Sequence, residues 1–165
     1  MSKVLIIGGG HAGANTAFAL RKDGFEGDIS IVSDEDYLPY HRPPLSKDFL
    51  KQKIAVDKLS FKPDKFYGDQ NISIYLNTRI DSIDLKSNQA HTSEASFDYD
   101  YLVFATGASP RLLSMENADA QNLFYLRQIT DVLSMHQEIR LAKNIVLIGG
   151  GYIGLEVASA MIELG

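Results

Sequence analysis

No cysteine occurs among the 165 residues. Its absence excludes disulfides, thiolate metal sites, cysteine-ligated iron–sulfur clusters and any dithiol redox pair within this chain. The four histidines (His11, His41, His91 and His136) are scattered, with no pair at metal-ligand spacing, so no metal site is expected. Long apolar runs are missing too: nothing approaches the roughly 20 residues needed to cross a bilayer. The stretch Val4-Leu5-Ile6-Ile7 behind Met1-Ser2-Lys3 is too short for a signal peptide, which makes a cytoplasmic protein without a membrane partner the expectation. Positive charge is not in excess, since the formal net charge is -5. Nucleic acid and anionic lipid favour a basic surface and are not expected as main partners.

What remains is ordinary globular material, 45% hydrophobic and 22% charged, with enough apolar residues for a sizeable core. Val4 to Ile7 is an aliphatic run ending in Gly8-Gly9-Gly10, as a strand buried on both faces of a parallel sheet would be. From Ala12 to Lys22 the positions Ala14, Ala17, Phe18 and Leu20 form a helical stripe that Gly24 ends. Ile29 to Val32 reads as the next strand, completing a βαβ unit of about 30 residues. Tyr37 to Pro44 reads as a loop, with Ser46 as the N-cap of a short helix. Further strands are expected at Ile72–Tyr75, Ile80–Leu85, Gln89–Thr92 and Tyr101–Phe104, the middle ones forming a meander. A helix is expected from Asp131 to Leu141.

The opening then repeats. VLIIGGGHAGANTAFAL and IVLIGGGYIGLEVASAM are two copies of one strand–turn–helix device, 141 positions apart. In the second, Ile145–Ile148 reads as the strand and Tyr152–Leu164 as the helix. A lone βα unit leaves an apolar face uncovered, so the chain is expected to be part of a longer polypeptide.

Both copies carry a glycine fingerprint. In the first, Gly8 permits the tight turn, Gly10 lets backbone approach a pyrophosphate and Gly13 lets helix and strand pack closely. His11 and Ala12 open the helix, whose N–H groups and dipole attract phosphate. The fingerprint gains weight from its setting between a strand and a helix, with Asp34 and Glu35 after the second strand to accept hydrogen bonds from a ribose. The second fingerprint is Gly149, Gly151 and Gly154, with Tyr152 and Ile153 in the helix opening. Two such turns imply two dinucleotides. The acid or arginine that would separate NAD from NADP is expected beyond residue 165, so these residues do not decide between the two.

Between the fingerprints stands Pro39-Tyr40-His41-Arg42-Pro43-Pro44-Leu45-Ser46-Lys47-Asp48, and later Tyr101-Leu102-Val103-Phe104-Ala105-Thr106-Gly107-Ala108-Ser109-Pro110-Arg111. With these segments the chain closely resembles the FAD-dependent ferredoxin reductase family. That family includes the reductase components of aromatic dioxygenase and cytochrome P450 systems, rubredoxin reductases and apoptosis-inducing factor. The resemblance runs through the whole chain but covers only about the first two-fifths of a typical member. It implies an α/β fold: a Rossmann-like FAD-binding domain with parallel sheet and β-meander over 1–111, then a linker, a helix and the first βα unit of an NAD(P)-binding domain over 112–165.

The resemblance also implies roles. Arg42 matches an arginine near the FAD ribityl-pyrophosphate region, where a guanidinium suits phosphate. Lys47 matches the lysine near the flavin N5 and is the one catalytic residue implied. Pro44 would pack by the isoalloxazine. Ala105, Thr106 and Gly107 would lay backbone against the cofactor, with Arg111 closing that segment, and Arg79 falls where the family holds the adenine end. FAD is the implied cofactor and NAD(P)H, NADH above all, the co-substrate. The implied partner is a ferredoxin or rubredoxin-type electron carrier.

The lack of cysteine favours this branch over the disulfide reductases and disfavours NADH oxidases. Monodehydroascorbate reductase, a nitrite reductase flavoprotein and a flavin-binding fragment without catalysis remain as alternatives. His11 and His41 read as exposed spacers, and Phe61, Phe66 and Tyr67 as core or interface.

Overall fold

The computed structural model describes residues 1–116, 120 and 122–165, which form two compact units: 1–40 with 60–107, and 41–59 with 108–165. In the first unit, β1 (Lys3–Ile7), β2 (Asp28–Val32), β3 (Ile72–Tyr75) and β7 (Tyr101–Phe104) make a parallel sheet in the order β3-β2-β1-β7. The continuous apolar runs of β1 and β2 suit this position, because alternate side chains enter two different cores. Val4, Ile6, Ile29 and Ile31 pack with Ala17 of α1 (His11–Lys22) and Tyr67 of α2 (Asp64–Asp69). Leu5 and Val32 pack on the other face with Ala90 and Tyr99, at the meander β4 (Ser82–Asp84), β5 (Gln89–His91), β6 (Ser96–Asp98). Phe66 meets Phe18 edge to face and Tyr67 is buried, so of the expected core or interface the aromatics of α2 take the core.

Helix α1 ends in a Schellman arrangement. The Phe25 amide donates to the Leu20 carbonyl at 2.9 Å and the Gly24 amide to Arg21 at 3.2 Å. The Arg21 guanidinium then donates to four carbonyls, those of Phe25, Gly27, Gln70 and Asn71, at 2.6 to 2.8 Å. One side chain thereby ties the entrance of β2 to the entrance of β3.

The second unit holds two 3₁₀ turns (Pro43–Ser46 and Val56–Leu59), α3 (Ile129–Leu141) and α4 (Tyr152–Leu164), with Leu45, Phe49, Leu50, Leu59, Ile129, Val132, Val157 and Ala160 buried. Helix α3 begins two residues before the expected Asp131 because Asp131 is the third helical residue of a capping box. Its Oδ2 accepts from the backbone amide of the N-cap Gln128 at 2.8 Å.

Two expectations fail. Ser46 is the last residue of a 3₁₀ turn, not an N-cap; prolines at the turn's first two positions fix its start, and the serine hydroxyl points elsewhere. Ile145–Ile148 is not a strand. It has no ladder partner among the described residues, and Val146 is 84% exposed. A strand exists only through its neighbours, whereas the helix that follows closes its own hydrogen bonds and forms as expected. Among the described residues no helix is long and apolar enough to cross a membrane.

Candidate functional site

In the first unit the fingerprint turn leaves β1 through Gly8, whose φ of +118° belongs to glycine. Its amide donates to the Val32 carbonyl at 2.8 Å, and the Ala105 amide donates to Ile7 at 2.8 Å, so the turn is sewn to β2 and to the exit of β7. A Cβ on Gly8 would lie 2.2 Å from the Ala105 carbonyl oxygen, and one on Gly13 would lie 2.0 Å from that of Gly8. The protein's own packing therefore explains both glycines.

Gly10 is different. Its φ of -83° is open to any residue, and a Cβ there would meet nothing within 4 Å. Gly10 is also the N-cap of α1, which no side chain caps and whose first turn contains no acid. The first intrahelical bond runs from the Ala14 amide to the Gly10 carbonyl at 3.1 Å, so the amides of the opening residues, Ala12 and Gly13 among them, precede the hydrogen-bonded ladder. A cradle floored by glycine, edged by helix amides and free of acidic side chains fits a diphosphate.

Beyond β2, the segment Ser33–Glu35 is pinned beside 75–78: Ser33 donates to the Tyr75 carbonyl at 2.8 Å and Thr78 to that of Ser33 at 2.8 Å. The two acids of this segment diverge. Glu35 accepts a 2.6 Å hydrogen bond from the hydroxyl of Tyr40, itself 3% exposed. Asp34 stays exposed, with Arg79 Nη1 at 3.7 Å from its Oδ2. Asp34 is thus exposed with Arg79 beside it, whereas Glu35 is only partly exposed. Ala105, Thr106 and Gly107 leave β7 next to the turn, with Gly107 at a φ of +69°.

In the second unit, Pro43 and Pro44 open the 3₁₀ turn. Arg42 donates from Nη1 to the Arg127 carbonyl at 2.8 Å, at the foot of α3. Lys47 Nζ stands 2.7 Å from Glu156 Oε1, while the buried Ser46 donates from Oγ to Glu156 Oε2 at 2.5 Å. The Lys47 ammonium first, and the Ser46 hydroxyl second, hold the Glu156 carboxyl below the usual glutamate range. These three residues line a cavity of about 410 Å³ with Asp48, Lys51, Tyr152, Leu155, Ser159 and Ala160.

The second fingerprint turn repeats the backbone of the first, with no paired strand leading into it among the described residues. Gly149 has a φ of +107°, a Cβ on Gly154 would lie 2.6 Å from the Gly149 carbonyl oxygen, and the Leu155 amide donates to Gly151 at 3.1 Å. Gly151 caps α4 with extended backbone and open space, as Gly10 caps α1. Tyr152 and Ile153 are exposed at its opening.

Within the first unit, then, the structure brings together Gly8, Gly10, Gly13, Ala105 and Thr106, and separately Asp34 with Arg79. Within the second it brings Lys47 to α4. Arg111 lies exposed outside any element. Glu156 and Ser46 were missed as site residues. Glu156 was visible as an acid two positions after the last fingerprint glycine, but nothing local marks it as the partner of Lys47, which lies more than a hundred positions earlier.

The sequence matches the pyridine nucleotide-disulphide oxidoreductase family over residues 2–165. It is 42% identical over 163 residues to a rubredoxin-NAD(+) reductase of Pseudomonas putida, covering 98% of this chain and 42% of that protein. Among solved structures it is similar to a covalent putidaredoxin reductase–putidaredoxin complex, with TM-score 0.90 and 40% identity over 98% of this chain and 40% of that one. It is also similar to a ferredoxin reductase from Rhodopseudomonas palustris, with TM-score 0.96 and 38% identity over 100% of this chain and 41% of that one. The chain thus spans about two-fifths of the length of these relatives. A match that runs through both glycine turns and the proline-led segment between them shows the family: the chain belongs to the pyridine nucleotide-disulphide oxidoreductase family.

Proposed function

We propose that the chain is the N-terminal portion of an FAD-dependent NAD(P)H oxidoreductase that passes electrons to a ferredoxin or rubredoxin-type carrier in the cytoplasm. The observation that carries the reading is the open space at Gly10, a glycine that no contact with the described residues and no backbone angle requires. The first unit would hold the FAD diphosphate at Gly8, Gly10, His11, Ala12 and Gly13, the ribose at Asp34, with Glu35 held by Tyr40 beside it, and the adenine end near Arg79. Ala105, Thr106 and Gly107 would supply backbone. The second unit would contribute Arg42 and Arg111 to the phosphates, Pro44 to the ring and Lys47 to the flavin N5. Gly149, Gly151, Tyr152, Ile153 and Gly154 would receive the nicotinamide dinucleotide. FAD held there would supply hydride acceptance and single-electron release. The residues position it: Lys47 places a cation where reduction accumulates negative charge, and Glu156 holds that cation.

The test is equilibrium dialysis of the chain against FAD, with Gly10→Val beside it. Binding is expected in the unsubstituted chain and at least roughly tenfold weaker in Gly10→Val, since the new side chain fills the space a diphosphate needs. Equal uptake by both removes the diphosphate from this turn.

A second reading, a flavin-binding piece without turnover, is favoured by the bare segment Ile145–Ile148, which has no ladder partner among the described residues. On that reading the isolated chain binds FAD yet reduces ferricyanide with NADH at a negligible rate. Brisk turnover by this chain alone argues against it.

A further inference from the structure

Ser46 is 5% exposed, one of only two buried polar residues of note among those described, and nothing in its own turn explains it. A serine closing a 3₁₀ turn ordinarily gives its hydroxyl hydrogen to the carbonyl three residues back. That carbonyl, on Pro43, lies 3.4 Å from Oγ, whereas Glu156 Oε2 lies at 2.5 Å. One hydroxyl has one hydrogen, and a charged acceptor at short range takes it. The two oxygens of Glu156 are therefore divided: Oε2 to Ser46 and Oε1 to Lys47.

We infer that Ser46 is a positioning residue for Lys47, acting through Glu156: its hydroxyl fixes one carboxylate oxygen so that the other presents a single acceptor to the lysine. The terminal torsion of a glutamate is soft and roughly two-fold. Without the serine donor the carboxylate turns, and Lys47 follows whichever oxygen is offered or takes both. The neighbouring cation does not compete. Lys51 lines the same cavity but is engaged with Glu163 at 3.0 Å and Asp48 at 3.4 Å. Asp48 and Tyr152 are the other titratable groups on the cavity wall, and neither forms a hydrogen bond with Glu156. The inference rests on the reading above only in that Lys47 serves a flavin; the serine–glutamate–lysine arrangement stands on this chain's own geometry.

The test compares Ser46→Ala and Ser46→Thr in two measurements. In the flavin-free chain, the Glu156 carboxyl is titrated by ¹³C NMR after selective labelling. Its midpoint is expected to rise in Ser46→Ala and to return in Ser46→Thr, which restores the hydroxyl. Ser46→Cys, nearly isosteric with a weak donor, gives the same rise and replaces the alanine variant should that variant unfold. In FAD-loaded protein, the flavin potential is expected to fall in Ser46→Ala and recover in Ser46→Thr while FAD uptake stays constant. A Glu156 midpoint unmoved in folded Ser46→Ala overturns the inference, as does a threonine variant that behaves like alanine. A midpoint that moves while the flavin potential does not leaves Ser46 as the positioner and removes Lys47 from the flavin. Absence of FAD uptake by the unsubstituted chain defeats the proposed function, and the NMR arm still decides the role of Ser46.

Discussion

Gly13 lies so close to Gly8 that a Cβ on the former would stand 2.0 Å from the carbonyl oxygen of the latter, and Gly154 repeats that approach to Gly149 at 2.6 Å. The two contacts have different surroundings. Gly8 is bonded to β2 and packed against the exit of β7, whereas Gly149 and the residues before it are exposed. Gly13→Ala must force backbone apart inside a fixed sheet and is expected to cost roughly 1–3 kcal/mol. Gly154→Ala shifts only an exposed turn and gains up to about 1 kcal/mol of helix propensity, so its net effect is expected to be small. Urea unfolding of the two variants checks the contrast; equal losses argue that the second turn is as rigidly held as the first.

Arg21 offers a second measurement. Its guanidinium reaches four carbonyls on two separate loops, a spread that a lysine ammonium, with all its donors on one nitrogen, does not span. Arg21→Lys is therefore expected to lose nearly as much as Arg21→Ala, roughly 2 kcal/mol in denaturant unfolding. Retention of wild-type stability by the lysine variant means the charge matters and the fork does not.

The features readable in advance are those whose causes lie within a few residues. The Gly8–Gly13 turn, the helix behind it, the Gly24 stop and the aliphatic strands β1 and β2 all declare themselves locally, and all are present. The second turn is the sharper case, because its geometry at Gly149, Gly151 and Gly154 survives without a sheet, while the Ile145–Ile148 strand does not form without neighbours. Ser46 shows the opposite limit. Its sequence suggested a cap, but a partner 110 positions away claims its hydroxyl. Helix α2 was missed because it is only six residues long and lacks a side-chain cap, and the divergence of Asp34 from Glu35 depends on a tyrosine hydroxyl that no motif announces.

Acid should weaken the contacts that α4 makes. Glu156 is held low by Lys47 first and Ser46 second, and Glu163 by Lys51 first and Lys53 second. A carboxyl with a depressed folded-state value contributes stability above its ordinary value of 4.5, and that contribution is lost as pH falls through the depressed value. Stability is thus expected to drop below pH 4.5 and to drop less in Lys47→Ala, which has less to lose. Lys47 and Glu156 are both partly exposed, so about 1 M salt should flatten most of the difference between the two proteins. Unfolding free energies against pH for the two proteins provide the check, and identical acid limbs would show that Lys47 and Glu156 are not paired in solution.

Alkali should act on the other unit, through Tyr67. Its ring is 2% exposed among Phe18, Phe66 and the apolar residues of β1, β2 and β3, and its hydroxyl has no hydrogen-bond partner among the described residues. Burial pushes that hydroxyl up to about 12 from 10.0. The raised value means that the folded state resists ionisation: stability is complete below the unfolded value and is lost as pH climbs through the folded one. Two units of difference correspond to roughly 2–3 kcal/mol, lost progressively between pH 10 and about pH 12. Tyr67→Phe removes the ionisable group and keeps the ring. Near neutral pH it should be neutral or slightly stabilising, because a hydroxyl without a partner contributes nothing that the phenyl lacks. Above pH 10 the variant should outlast the unsubstituted chain by a widening margin in denaturant titrations. Parallel decline of the two proteins would place the Tyr67 hydroxyl in contact with water and leave the core around α2 open on that side.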